Sequence, residues 1–138
     1  NGGSLSAFFS AAQLVSMMQK LPQLVAKRGA YVVGFLLSST IEDAKSVNIL
    51  QAMLTAYPAY SAGAYVYGPI CVASAERGQG IAQMLFAFLK QLQAGREGVL
   101  FIRADNTASL QAHQKMGMQV VSHFDFNQAN HIVLSYMG

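Results

Sequence analysis

Apolar positions recur along this chain with two different spacings, and the switches between them mark off its elements. From residue 5 to 20, Phe8, Phe9, Ala12, Val15, Met18 and then Leu21 follow near-helical spacing, which predicts an amphipathic helix ended by Pro22. Residues 24–26 and 31–38 are β-rich runs joined through Lys27-Arg28-Gly29, the pattern of a hairpin. Helical spacing returns over residues 42–56 through Ala44, Val47, Leu50 and Leu54, followed by a stretch of loop composition, Tyr57-Pro58-Ala59-Tyr60-Ser61-Ala62-Gly63. Residues 64–72 read as a strand interrupted by Gly68-Pro69. Proline inside a central strand implies a bulge or a place where the neighbouring strand has moved away, and such a gap admits a ligand.

Ile81, Leu85, Phe88, Leu89 and Leu92 form a helical stripe closed by Gly95. The Val-Leu-Phe-Ile run at residues 99–103 predicts a short buried strand, so strand, helix and strand complete a βαβ unit. Asn106 is placed to cap a helix running to Met116, with Gly117 as its stop. Residues 118–126 and 131–136 then read as antiparallel strands around the turn Asn127-Gln128-Ala129-Asn130. The expected class is α+β, a mixed sheet with helices on its faces.

Composition narrows the function. The 138 residues fit one domain, without internal repeats or a low-complexity linker. With 53% hydrophobic and 11% charged residues the chain is unusually apolar, so exposed patches and a homodimer are expected. The longest strongly apolar stretch, around residues 30–37, is far short of the ~20 residues that span a bilayer, which predicts no membrane span. The net charge of +3 comes from scattered residues with no cluster beyond Lys27-Arg28. That is no footprint for nucleic acid, but it favours an anionic small ligand. Cys71, the single cysteine, has no internal disulfide partner and no metal-ligand spacing, so no metal is expected and the cytoplasm is the default compartment. The opening Asn1-Gly2-Gly3-Ser4 suggests a fragment or processed product, and the apolar stretch after it lacks the basic leader of a signal peptide.

The chemistry concentrates between the strand at 64–72 and the helix that starts at Ile81. Arg77-Gly78-Gln79-Gly80-Ile81-Ala82 is a glycine-rich loop opening a helix, where unpaired N–H groups and the macrodipole favour a phosphate. Gly78 and Gly80 remove Cβ atoms where phosphate must approach the backbone, Ala82 keeps the turn narrow, and Arg77 adds a charge-assisted contact. The loop is not a P-loop, since no Gly-Lys-Ser/Thr follows, and it lacks the third glycine of a dinucleotide site.

Residues 72–82, Val-Ala-Ser-Ala-Glu-Arg-Gly-Gln-Gly-Ile-Ala, resemble the GNAT acetyltransferase signature Gln/Arg-x-x-Gly-x-Gly/Ala, with the preceding strand in its expected place. A second block, from Asn106 to Met118, resembles the later family signature in which an Asn opens a helix ending in Lys-x-Gly-Phe. The resemblance covers roughly residues 5–136. It implies an acyl-CoA N-acyltransferase fold, a mostly antiparallel sheet splayed between two parallel strands, with the arm of acetyl-CoA in the splay. It further implies a pyrophosphate on the amides of residues 78–82, with Arg77 beside them. Backbone groups of Ile70, Cys71 and Val72 would meet the pantetheine amides, and Asn106 with Ser109 would border the thiol end. His113 stands where many members carry a tyrosine that protonates the departing thiolate. On a helix capped at Asn106, residues 106, 109, 110 and 113 share one face, so His113 looks toward the same groove, and a histidine near ~6.5 has a proton to give at neutral pH. Tyr67 is the alternative acid.

This sequence departs from the family pattern in two ways. The usual first strand is expected to be missing, leaving the edge near residues 24–26 unpaired or covered by a partner chain, and the strand at 64–72 carries no carboxylate to serve as base. Glu42, Asp43, Glu76 and Asp105 read as solvated surface groups. Cys71 reads as a buried small hydrophobe rather than a nucleophile. Tyr57, Tyr60, Tyr65 and Tyr67, with Phe124 and Phe126, either line an acceptor pocket or pack the core. His123 and His131 read as surface or structural residues. The expected activity is direct transfer of acetyl from acetyl-CoA to a small-molecule or peptide amine, with a backbone N–H near Cys71 or Val72 polarising the thioester carbonyl. The alternatives are a non-catalytic acyl-CoA-binding module and a structural domain with an ordinary glycine turn.

Overall fold

Residues 10–138 are described in a computed structural model of the chain. The part of the first expected helix that includes Leu5, Phe8 and Phe9 lies outside them. Helix α1 (Ala11–Lys20) opens on Ser10 in a capping box with Gln13. Strands β1 (Leu24–Arg28) and β2 (Tyr31–Thr40) form the expected hairpin around Gly29 at φ 62°. The helix expected over residues 42–56 is two helices, α2 (Ile41–Ala44) and α3 (Asn48–Ala56). The hydroxyl of Ser46 donates to the Asp43 carbonyl at 2.7 Å, and Val47 is extended, so side-chain competition for a helix carbonyl and a β-branched residue break the run.

The chain continues through β3 (Tyr65–Val72), a 3₁₀ turn (Ser74–Glu76), α4 (Ile81–Leu92), β4 (Glu97–Arg103), α5 (Thr107–Lys115), β5 (Gln119–Phe126) and β6 (Ala129–Met137). The six strands form one sheet in the order β1-β2-β3-β4-β6-β5, antiparallel except for β3 beside β4. Among the described residues no strand pairs with the outer edge of β1.

Strand alternation sorts the core into two layers. Leu36, Tyr65, Tyr67, Leu100 and Leu134 face α4 and α5, while Val66, Val99, Phe124 and Val133 face Met17 of α1 and Leu50, Met53 and Leu54 of α3. On α4 the buried side chains are Ile81, Leu85, Phe86 and Leu89. Phe88 and Leu92, expected in the buried stripe, are 58% and 54% exposed. Gln83, Lys90 and Gln91 mark the outer side of the helix, but Met84 and Phe88 carry the apolar arc beyond the width the sheet covers, and Leu92 falls at the helix end.

Candidate active site

The one parallel contact of the sheet is short. β3 and β4 pair only at Tyr65↔Gly98 and Val66↔Val99, and beyond these residues the strands part. On its other side β3 keeps pairing with β2 up to Gly34↔Val72, with a register shift between Leu36 and Ser38 opposite the Gly68-Pro69 peptide. That peptide is cis. The gap expected at Gly68-Pro69 is therefore present, and a cavity of about 280 Å³ fills it, bounded by Tyr67 to Ile70 on β3, Leu100 to Arg103 on β4, and Asn106, Ser109 and His113 on α5.

Backbone polarity along the open edge follows from one bond. Ala73 donates its N–H to the Val33 carbonyl at 2.8 Å, so with two-residue alternation the groups of Cys71 also point to β2 and those of Ile70 and Val72 point to the splay. The Val72 carbonyl there accepts from Nε of Arg77 at 3.4 Å. Of the three residues expected to meet a pantetheine arm, Cys71 is thus turned toward β2. Its free thiol is half-buried.

At the cavity wall the hydroxyl of Tyr67 lies 3.0 Å from Nε2 of His113. The other ring nitrogen, Nδ1, lies 2.8 Å from the Ser109 carbonyl, which only accepts. Nδ1 therefore carries the hydrogen, and Nε2 of a neutral ring accepts from Tyr67. Asn106 fixes the start of this helix, its Oδ1 accepting from the Ser109 N–H at 3.2 Å. Both Tyr67 and His113 are buried, the tyrosine ring edge-on to Phe86 and Tyr136. Burial pushes His113 below the ordinary histidine value, outweighing the opposite effect of the Ser109 carbonyl, and burial raises Tyr67. The expectation of a histidine near its reference value is corrected accordingly: the resting pair is a neutral imidazole accepting from a neutral phenol.

Beyond the end of β3, residues 77–80 are exposed, and Gly78 and Gly80 adopt φ of 81° and 78°. Gly80 is the N-cap of α4 and supplies no side-chain cap, so the first-turn amides at Ile81 and Ala82 point outward from a helix start with no side chain closing it. A Cβ at Gly78 would meet nothing within 4 Å, so its glycine answers to backbone conformation and outside approach rather than to internal packing. Gln79 is tied back to Arg28 on β1, whose Nη2 donates to its Oε1 at 3.1 Å.

Other candidates fall elsewhere. Tyr65 is core, its hydroxyl 2.5 Å from that of Tyr136, and Tyr57, Tyr60 and Phe126 pack against the second layer. Asp43 pairs with Lys20, Glu76 with Arg28 and Asp105 with Arg103, while Glu42 is exposed. His123 is exposed; His131 is buried and stacked on Phe124 at 5.0 Å. Sequence reasoning passed over Glu97, 5% exposed at the start of β4, whose carboxylate accepts from Tyr57, Ser61 and Ser135. Its partners are distant in sequence, and no local pattern marks it. Among the described residues no helix is long and apolar enough to cross a membrane.

Comparison with known proteins agrees with this geometry. No curated protein matches the chain in sequence. Solved structures share its fold: Ard1 from Thermoplasma volcanium at TM-score 0.70 and 18% identity, covering 96% of this chain and 82% of that one. Ribosomal-protein-alanine N-acetyltransferase from Brucella melitensis follows at 0.64 and 19%, covering 91% and 75%. The structure of yncA from Salmonella typhimurium, which includes its cofactor acetyl-CoA, matches at 0.63 and 18%, covering 99% and 73%. The model of the acetyltransferase (GNAT) family matches residues 10–118. That span takes in the splayed strands, the glycine-opened helix and the Asn-capped helix together, and the chain belongs to the GNAT family of acetyltransferases.

Proposed function

We propose that this chain transfers the acetyl group of acetyl-CoA directly to an amine. The observation that carries the reading is the cavity between β3 and β4, with the Tyr67–His113 pair on its wall and a glycine-opened helix N-terminus beyond the end of β3. The residues present fit acetyl-CoA. Amides of residues 78–82 supply donors for a pyrophosphate, with Arg77 adjacent, and backbone groups of Ile70 and Val72 face the gap that a pantetheine arm would follow. When bound, acetyl-CoA supplies the acyl group already activated as a thioester. Asn106 and Ser109 hold the helix that aims His113 at this end of the cavity.

Tyr67 and His113 then manage a proton. Oη of Tyr67 takes the proton of the attacking amine as it passes its own to Nε2 of His113, and the reverse movement delivers a proton to the departing sulphur. Neither residue ends ionised, which suits their burial. This differs from a simple histidine acid: the neutral imidazole is the proton's temporary holder. A backbone N–H facing the splay, that of Val72, is positioned to polarise the carbonyl.

The acceptor is a small-molecule amine or a peptide amine. A similar fold carries the name ribosomal-protein-alanine N-acetyltransferase, so peptides with a free amino terminus belong in any panel. The test is thiol release from acetyl-CoA over such a panel, with calorimetric titration of CoA in parallel. Release with at least one amine is expected. CoA binding with no release from any amine would identify a non-catalytic acyl-CoA-binding module, and failure to bind CoA would overturn the reading.

A further inference from the structure

We propose that Arg28, on the far side of the β1–β2 hairpin, is the positioning residue that orders the phosphate-binding loop. The inference rests on the reading of residues 77–82 as that loop. The tip of the loop has little to hold it: residues 77–80 are exposed, Gly78 and Gly80 flank Gln79 at positive φ, and a Cβ at Gly78 would touch nothing within 4 Å. Glycines on both sides of one residue leave the backbone with a large conformational freedom, so amides that must converge on an anion need an external restraint.

Arg28 supplies it. It is the last residue of β1 and is held in register opposite Tyr31, so its backbone belongs to the sheet. Its Nε donates to both carboxylate oxygens of Glu76 at 3.1 and 3.3 Å, and Nη2 donates to Oε1 of Glu76 at 2.8 Å and to Oε1 of Gln79 at 3.1 Å. One planar guanidinium therefore bridges the 3₁₀ turn before the loop and the residue between its two glycines. The pairing has a second consequence. Glu76 would place an uncompensated negative charge beside an anion site, and Arg28 cancels it. The fork geometry makes lysine a poor replacement, since a point charge cannot hold Glu76 and Gln79 together.

The experiment compares wild type, Arg28→Gln and Arg28→Lys by backbone amide order parameters at Gly78, Gln79 and Gly80, by titration with CoA and with dephospho-CoA, and by steady-state kinetics. Arg28→Gln is expected to lower the order parameters at these three amides, to weaken both ligands by the same factor of about three to ten, and to place the loss in KM for acetyl-CoA more than in kcat. Arg28→Lys should leave the loop amides as mobile as Arg28→Gln does. Unchanged order parameters in Arg28→Gln, or full restoration by lysine, would overturn the assignment. A loss confined to CoA and absent with dephospho-CoA would also overturn it, because Arg28 would then be touching the 3′-phosphate instead of ordering the loop. If the wild type binds neither ligand, the phosphate reading fails, while the order parameters still decide whether Arg28 holds this loop.

Discussion

Tyr67 donates its phenolic hydrogen to Nε2 of His113 at 3.0 Å because the other ring nitrogen has given its hydrogen to the Ser109 carbonyl. A bond between β3 and the last turn of α5 thereby spans the splay. In the proposed relay this sets the direction of proton movement: an incoming proton would reach the imidazole through the phenol.

Removing either partner should therefore cost turnover more than cofactor affinity. His113→Phe and Tyr67→Phe are each expected to lower kcat by about 10²-fold or more while changing the Kd for CoA only slightly, since the interaction serves proton transfer rather than ligand binding. Normal turnover by a folded His113→Phe protein on its true acceptor would make His113 structural.

The same pair fixes a pH dependence. Burial disfavours the imidazolium, so His113 stays neutral below the ordinary histidine value of ~6.5. Activity that needs a neutral Nε2 as proton holder is then maintained as pH falls through 6.5 and is lost at lower pH, when His113 is protonated at rest. The acid limb of kcat/KM, measured from pH 5 to 8, should fall below ~6.5 and vanish in His113→Phe. Deprotonation of the acceptor amine adds a limb of its own that moves with the amine's basicity, so the relay is contradicted only if no limb below ~6.5 is common to amines of different basicity and absent from His113→Phe.

Gly80 carries a separate prediction. It is the N-cap of α4 with φ 78°, a conformation L-residues adopt only with strain. Gly80→Glu adds that strain and sets a negative charge where the pyrophosphate is assigned, so CoA binding should fall at least ~100-fold in a protein that remains folded by circular dichroism. Arg77→Ala should weaken binding less, because the backbone donors remain. Unchanged affinity in folded Gly80→Glu would remove the phosphate from this loop.

What the sequence made legible were features whose cause is local. Asn106 as a cap, Gly80 as a helix opener and the proline that interrupts β3 act through their own backbone or the next turn, and each stands where its chemistry places it. What stayed hidden depends on contacts across the fold. The hydrogen bonds that join Tyr67 to His113 and Arg28 to Glu76 close over long stretches of chain. Adjacent strand residues look alike in sequence, whereas pleating turns the backbone groups of every second one to the other neighbour, so those of Cys71 face β2 and those of Ile70 and Val72 face the splay. The apolar arc of α4 is wider than the sheet covers, and nothing local shows that Phe88 falls at its uncovered margin or that Leu92 lies past the end of the packed turns.

Glu97 belongs to the same hidden class and carries a prediction for stability against pH. It accepts from the Tyr57 hydroxyl at 2.8 Å, from the Ser61 N–H at 2.7 Å and from the Ser135 hydroxyl, clipping the loop after α3 to the start of β4 and to β6. Burial alone would raise this carboxyl, but the Ser135, Ser61 and Tyr57 donors more than reverse it and hold it below its usual value of 4.5. A folded-state value below the unfolded one means that the folded chain binds fewer protons. The stabilisation is therefore complete above ~4.5 and is lost as pH falls through the depressed value. Glu97→Gln replaces one acceptor oxygen by an NH₂ group that faces donors, and should cost about 1–3 kcal/mol at neutral pH. Melting temperatures from pH 3 to 7 should then show a variant several degrees less stable at pH 7 whose deficit narrows toward pH 3, since the wild type loses there what the variant never had. A deficit that stays constant across this range would mean that the clip acts through shape rather than charge.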